Sequence, residues 1–400
     1  MENKTILRDD SEINSSNYLP LLKRLFYFPT ITQKCFILGN SSCDMDSVLS
    51  AYLVSIFENI RNKTIIADES TTHYHLNPMA TKIYFPVLNC KRGTLHHRLD
   101  EKFVFDKFNI DENEFFYKDD LLLSEQVIKN SKNLTFILVD HSELPEDQKY
   151  LREYVDEVYD HHIVPFLDFP NCTKRFIKFP VGSCTTLILA NFYLNKYPIT
   201  ILPPLLAVTA ILLDTSNFKK SYYKNRWDDL DAGIFSAILS QTKEKYDIQE
   251  YYNQISSEKS NIEKNLALGI NILFEKDQKR YKWDNNRIMW SSLPISINKV
   301  ISKFTLEKIY EYLKKNYFDN FEYYIINSVI DNGNKLFNII TLKKKTFDNI
   351  LEIKNNLIKV CGGFYVNFEF DEKNNMINLE LASNSSRKGV EPLFKQVFNK

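Results

Sequence analysis

The stretch Phe36–Ser47, FILGNSSCDMDS, runs from an apolar segment through Gly39 into two acids one residue apart, Asp44 and Asp46. An apolar run closed by glycine and polar residues, then followed by the helix-like Ser47–Ile60, reads as a strand, a loop and a helix of a parallel sheet. Ligands of such sheets collect at the carboxyl ends of the strands. Asp44 and Asp46 are therefore candidates for chemistry as well as for capping the helix that follows.

The same alternation extends through the first half of the chain. Strand-like runs at Cys35–Leu38, Thr64–Ala67, Leu134–Val139, Val155–Tyr159 and Arg175–Phe179 are interleaved with helix-like Asp120–Lys129, Pro145–Tyr154 and Cys184–Leu194. That order predicts an α/β fold with a mostly parallel sheet flanked by helices. Tyr246–Asn261 is polar and is expected to join two halves, with domains at 1–250 and 251–400. In the second half, helices near 262–274 and 302–316 alternate with strands near 287–290, 322–330, 336–342, 364–370 and 376–381, a smaller α/β unit.

The 400 residues exceed what one hydrophobic core usually serves, and 44% of them are hydrophobic. With 51 basic and 51 acidic residues the formal net charge is zero, so no global field attracts nucleic acid or an anionic membrane. The N-terminal segment has no apolar core of the kind a signal peptide needs and no segment has the length of a membrane span, so the expected location is cytoplasmic. The six cysteines form no Cys-x-x-Cys pair and are expected to be reduced and to pack.

Four strand ends carry residues that packing does not ask for: Asp44 and Asp46, Asp140 in FILVDHSEL, Asp160, His161 and His162 in VYDHHIV, and Asp214 in AVTAILLDTSNF. Read as ends of neighbouring parallel strands, they bring several carboxylates into one crevice, where they cannot all ionise without a cation among them. Oxygen-rich ligands with one or two imidazoles suit Mg²⁺ or Mn²⁺ better than zinc. Two such ions are the usual arrangement for hydrolysing phosphate bonds. Basic residues gather in FKKSYYKNR (Lys219, Lys220, Lys224, Arg226) and KRGTLHHR (Lys91, Arg92, Arg98), and Gly182 and Ser183 open a helix whose amides suit an anion.

This ordered set resembles the DHH phosphoesterase superfamily. Glu275–Tyr281, EKDQKRY, and Ser383–Leu393, SNSSRKGVEPL, look like the domain that accompanies DHH in family II inorganic pyrophosphatases and in yeast-type cytosolic exopolyphosphatases and their prune relatives. The resemblance implies an active site in the cleft between the two domains. It implies that Asp44 binds one metal, that Asp46, His161 and Asp214 bind the other, and that Asp140 bridges both. His162 then faces a phosphate oxygen, Asp160 orients His161, and Lys279, Arg387 and Lys388 clamp phosphate. The implied activity is that of an exopolyphosphatase: a water bridging two divalent ions attacks the terminal phosphorus of inorganic polyphosphate. The alternatives are an inorganic pyrophosphatase and a prune-like phosphodiesterase or regulatory protein. A monomer is expected, with no nucleic-acid partner.

Family II pyrophosphatases follow the motif's glycine with histidine, whereas Asn40 follows Gly39 here, as in the exopolyphosphatase and prune branches. A neutral amide is a weaker ligand than imidazole, so Asn40 is read as a residue that selects the branch. Asn40→His is expected to raise the ratio of kcat/KM for pyrophosphate to that for tripolyphosphate. A ratio that is constant or lower in both Mg²⁺ and Mn²⁺ removes Asn40 as a specificity determinant.

Overall fold

The computed structural model describes residues 12–67, 74–120, 125–131, 133–162, 169–195, 201–330, 333–342, 347–371, 376–382, 385 and 387–399, with the side chains of 127, 347–350 and 388 excepted. The chain divides into two compact units, one running to Ile255 without His97–Leu99, the other made of His97–Leu99 and Ser256–Lys400.

The first unit is built on strands β1 (Gln33–Leu38), β4 (Lys82–Leu88), β5 (Phe116–Tyr117), β6 (Leu134–Val139), β7 (Val155–Asp160) and β8 (Lys174–Ile177) in the order β5-β4-β1-β6-β7-β8. Every pairing is parallel. Cys35–Leu38 and Phe136–Val139 are buried at successive positions, because helices cover both faces and leave no side for polar alternation. The helix Met45–Arg61 is buried from Met45 to Asn59. Its N-cap is Asp44, whose carboxylate accepts from the Ser47 amide.

Several sequence expectations change here. Thr64–Ala67 does not join the parallel sheet: β2 (Ile65–Ala67) pairs antiparallel with β3 (Tyr74–Leu76) in a separate two-stranded ribbon. The strand that does lie beside β1 is β4, which contains Pro86 opposite Ile37. Proline argues against a central strand, yet β5 pairs only with Val87 and Leu88, so one flank of β4 at Pro86 has no ladder to supply. Of the expected helices, Pro145–Tyr154 is a 3₁₀ helix over Glu146–Tyr154, and Asp120–Lys129 contributes Glu125–Asn130. The polar stretch 246–261 holds the helix Ile248–Lys259, whose Tyr251 and Ile255 are buried in the first unit's core.

The second unit carries β9 (Gln278–Trp283), β10 (Asn286–Ser292), β11 (Tyr323–Val329), β12 (Lys335–Thr341), β13 (Tyr365–Asp371) and β14 (Met376–Leu381) in the order β13-β14-β12-β11-β10-β9. Only β10 and β11 run parallel; the other pairings are antiparallel. Tyr323 and Ile325 enter one apolar cluster and Tyr324 and Ile326 another, so this sheet too is covered on both faces.

Gly39 marks where β1 meets the helix Met45–Arg61. A Cβ there meets Ser47 Cβ at 3.0 Å and the Ser47 carbonyl oxygen at 3.2 Å. Gly39→Ala is expected to cost about 1–3 kcal/mol in urea denaturation, as overpacking does. A change under about 0.5 kcal/mol, typical of an unconstrained surface position, contradicts that close approach.

Candidate metal centre

Strands β1, β6 and β7 are neighbours, so their carboxyl ends deliver Asn40, Asp140 and the Asp160–His162 triplet to one place. Asp140 is 3% exposed and has φ +60°, a left-handed conformation that Asp tolerates better than most residues. Its Oδ2 accepts from Asn40 Nδ2 and from Ser47 Oγ at 2.7 Å. The Asp140 amide donates to the Tyr159 carbonyl at 2.9 Å, tying the ends of β6 and β7 together.

His161 is buried and donates from Nδ1 to the Val181 carbonyl at 2.8 Å. That bond sets the tautomer in the neutral ring and leaves the Nε2 lone pair aimed at Asp140 Oδ1, 3.2 Å away, and Asp46 Oδ2, 3.6 Å away. Three acceptors thus face one another, a contact that is repulsive unless a proton or a cation lies among them. Ligand atoms of Asp140, His161 and His162 lie within 4.8 Å of one another. Burial, then the charges of Asp46 and Asp44, push the Asp140 carboxyl up to about 6, against the opposing pull of His161.

Asp160 acts on a different ring from the one expected. Its Oδ1 accepts from the His161 and His162 amides and from His162 Nδ1 at 2.8 Å, and its Oδ2 accepts from Ser142 Oγ at 2.6 Å. It therefore orients His162, while a backbone carbonyl orients His161. Burial alone raises its pKa, but the hydrogen bond and charge of His162, with Ser142, outweigh that and hold it well below the usual carboxylate range.

Asp46 has partners of two kinds. Oδ1 accepts from Ser183 Oγ at 2.5 Å and the Thr185 amide at 2.9 Å, and Oδ2 accepts from the Cys184 amide at 2.7 Å while facing His161. The first amides of the helix Cys184–Leu194 are thus satisfied by this chain's own carboxylate, and the Gly182 amide by Asp231. The Gly182–Ser183 turn is therefore not open to an external anion. Asp44 is half-buried and reaches the cluster indirectly: Ser42 Oγ donates to Asp44 Oδ2 at 2.9 Å and also to Asn40 Oδ1. Asp214 ends a helix, Thr209–Asp214, and not a strand; the apolar run before it is too short to show which. It is not part of the three-residue cluster.

In the second unit Arg387 donates to Asp277 Oδ1 at 2.7 Å and to Ser292 Oγ at 2.9 Å. Burial raises the Asp277 pKa, but Arg387, Arg98 and Lys279 together draw it below the usual range, so these three cations share one carboxylate. The Lys388 side chain lies outside the described residues. Asn40 acts as a donor to Asp140, with its own oxygen taken by the Ser42 amide at 2.8 Å. Sequence reading missed Ser47, Ser142 and the Val181 carbonyl, since a hydroxyl or a backbone oxygen carries no distinctive pattern.

No family model matches the chain. Over 152 residues it is 34% identical to Exopolyphosphatase PRUNE1 of Bos taurus, and the Homo sapiens protein of that name matches at the same identity and length. The match covers 38% of this chain and 29% of each relative's length. A Methanococcus jannaschii crystal structure assigned to family II inorganic pyrophosphatase superposes with a TM-score of 0.61 at 18% identity, covering 92% of this chain and all of the other. The chain thus shares the fold of that structure and, over those 152 residues, is homologous to the PRUNE1 proteins.

Proposed function

We propose that the protein hydrolyses phosphoanhydride bonds, removing terminal phosphate from inorganic polyphosphate, with two divalent ions, Mg²⁺ or Mn²⁺. The observation that carries this reading is the His161 Nε2 lone pair facing the Asp140 and Asp46 carboxylates, a donor set that fits a hard cation. Asp140 and His161 would hold an ion there, with Asp44, Asp46 and Asp214 as further ligands. Divalent ions, when bound, set positive charge against the phosphates and acidify water.

The chain's own residues do the rest. Val181 fixes the His161 tautomer, and Asn40 and Ser47 fix the Asp140 carboxylate, as outer partners of ligands do elsewhere. Pairing with Asp160 favours the charged His162 ring, whose Nε2–H then donates to a phosphate oxygen. Arg387, Lys279 and Lys388 are proposed to bind phosphate as well, Arg387 with its fork already oriented by Asp277. A second reading, inorganic pyrophosphatase, is favoured by the fold shared with the Methanococcus jannaschii protein.

Phosphate release from long polyphosphate, tripolyphosphate, pyrophosphate and a cyclic nucleotide, each with Mg²⁺ or Mn²⁺, tests the reading. His161→Ala is expected to lower kcat on the best substrate at least about a hundredfold, the scale of a lost metal site. More than about a tenth of wild-type activity in that variant sinks the assignment.

Asp140 also makes a prediction about stability. Its folded pKa of about 6 lies above the unfolded value. Its contribution is therefore fully present below about pH 4 and is lost as pH rises through 6, an effect on the order of 3 kcal/mol. Metal-free Asp140→Asn is thus expected to melt above the metal-free wild type at pH 7. Mn²⁺ should raise the Tm of the wild type and leave that of the variant unmoved. A variant that gains as much from Mn²⁺ as the wild type excludes Asp140 as a ligand.

A further inference from the structure

The two basic runs, 91–98 and 218–226, have different fates. In the run 91–98, Arg92 is held by Asp120 and by the carbonyls of Asn113 and Phe115, and it lies over the Tyr117 ring at 4.5 Å. Arg98 is buried and donates to the Lys276 carbonyl at 2.7 Å. These arginines are structural. In the run 218–226, Lys219 and Lys220 are exposed and Arg226 is half-buried, and none of the three has an ion pair among the described residues. Lys224 alone is neutralised, by Asp229 at 3.3 Å.

This segment is rigidly built. Ser216, Asn217 and Phe218 have φ of 53°, 54° and 54°, three successive non-glycine residues in a left-handed turn, a conformation that costs about 1–2 kcal/mol per residue. The turn is secured by bonds from the Asn217 amide to the Leu212 carbonyl and from the Phe218 amide to Thr215 Oγ1, and by the Trp227 indole donating to the Lys219 carbonyl at 3.0 Å. The Tyr222 ring lies 5.0 Å from the Lys219 ammonium and 5.5 Å from the Arg226 guanidinium, so it spaces the two cations. The segment also packs against the turn that positions His161. A Cβ on Gly182 meets Thr215 Cγ2 at 2.9 Å and the Arg226 carbonyl at 3.3 Å, and the residue before Gly182, Val181, holds His161.

We infer that Lys219, Lys220 and Arg226 form a platform that binds the distal phosphates of an inorganic polyphosphate chain whose terminal group lies at the metal centre. The inference rests on the polyphosphate reading above and names the residues that would distinguish a long chain from pyrophosphate. The cations engage the Tyr222 ring themselves, which favours a polyanion without bases over RNA, whose bases stack on aromatic faces.

The test compares the full chain with Lys220→Gln/Arg226→Gln and with a control, Lys303→Gln/Lys308→Gln, that removes equal charge from exposed helix positions of the second unit. Binding of labelled long-chain polyphosphate is titrated in EDTA, in an Asp140→Asn background that blocks turnover, at several salt concentrations. The platform variant is expected to raise Kd about five- to tenfold with a shallower salt dependence, as for lost contacts to a polyanion, and the control less than about twofold. With the catalytic residues intact, the platform variant is expected to lower the ratio of kcat/KM for long polyphosphate to that for pyrophosphate by a similar factor. An unchanged Kd, equal losses in platform and control, or no polyphosphate binding by the wild type overturns the inference even if the enzyme hydrolyses pyrophosphate. Single-stranded RNA of equal charge that binds as tightly and is weakened equally overturns the choice of ligand. Failure of the wild type to release phosphate from any substrate, with platform-dependent polyphosphate binding retained, overturns the hydrolytic reading and not the platform.

Discussion

The contact on which the site turns is the approach of the His161 Nε2 lone pair to two carboxylates, 3.2 Å from Asp140 and 3.6 Å from Asp46. Acceptors do not gather in a buried place on their own account, since desolvation and mutual repulsion both oppose it. The surrounding fold holds them there. The Val181 carbonyl commits Nδ1, Asn40 and Ser47 commit one Asp140 oxygen, and three backbone and side-chain donors at a helix N-terminus commit Asp46. What is left over on each residue points inward.

Asp46 shows how closely the chemistry is joined to the architecture. It lies in the first turn of the helix Met45–Arg61, yet its carboxylate caps the helix Cys184–Leu194, where the helix dipole favours negative charge. One residue thus links these two helices and faces the candidate ligand His161. Gly39 serves the same junction from the strand side, because any side chain there meets Ser47, the residue that holds Asp140.

Electrostatic neighbours separate the roles of two adjacent histidines. His161 is enclosed and bonded to a neutral carbonyl, which suits a lone pair offered to a cation. His162 is about one-third exposed and bonded to a carboxylate, which suits a proton offered to an anion. The carboxylates split in the same way. Asp140, short of donors for its burial and beside like charge, is pushed up, while Asp160, surrounded by donors, is held down.

The sequence by itself determined the parallel α/β order, the acids and histidines at the ends of β1, β6 and β7, and the lack of a global charge. These follow from periodicity and turn chemistry, which act over a few residues. It did not determine that β4 lies beside β1, because Pro86 obscures the strand until its bare flank is seen. Asp214 read as a strand end because a short apolar run has no period long enough to tell helix from strand. Only the tertiary structure decided which atom of each residue faces the centre: that Val181 and not Asp160 holds His161, that Asn40 donates to Asp140, and that Arg92 and Arg98 are consumed by packing while Lys219, Lys220 and Arg226 are not. The physical reason is that hydrogen-bond partners in this site stand up to 139 residues apart in the chain, as Thr185 and Asp46 do, and local patterns carry no information at that distance.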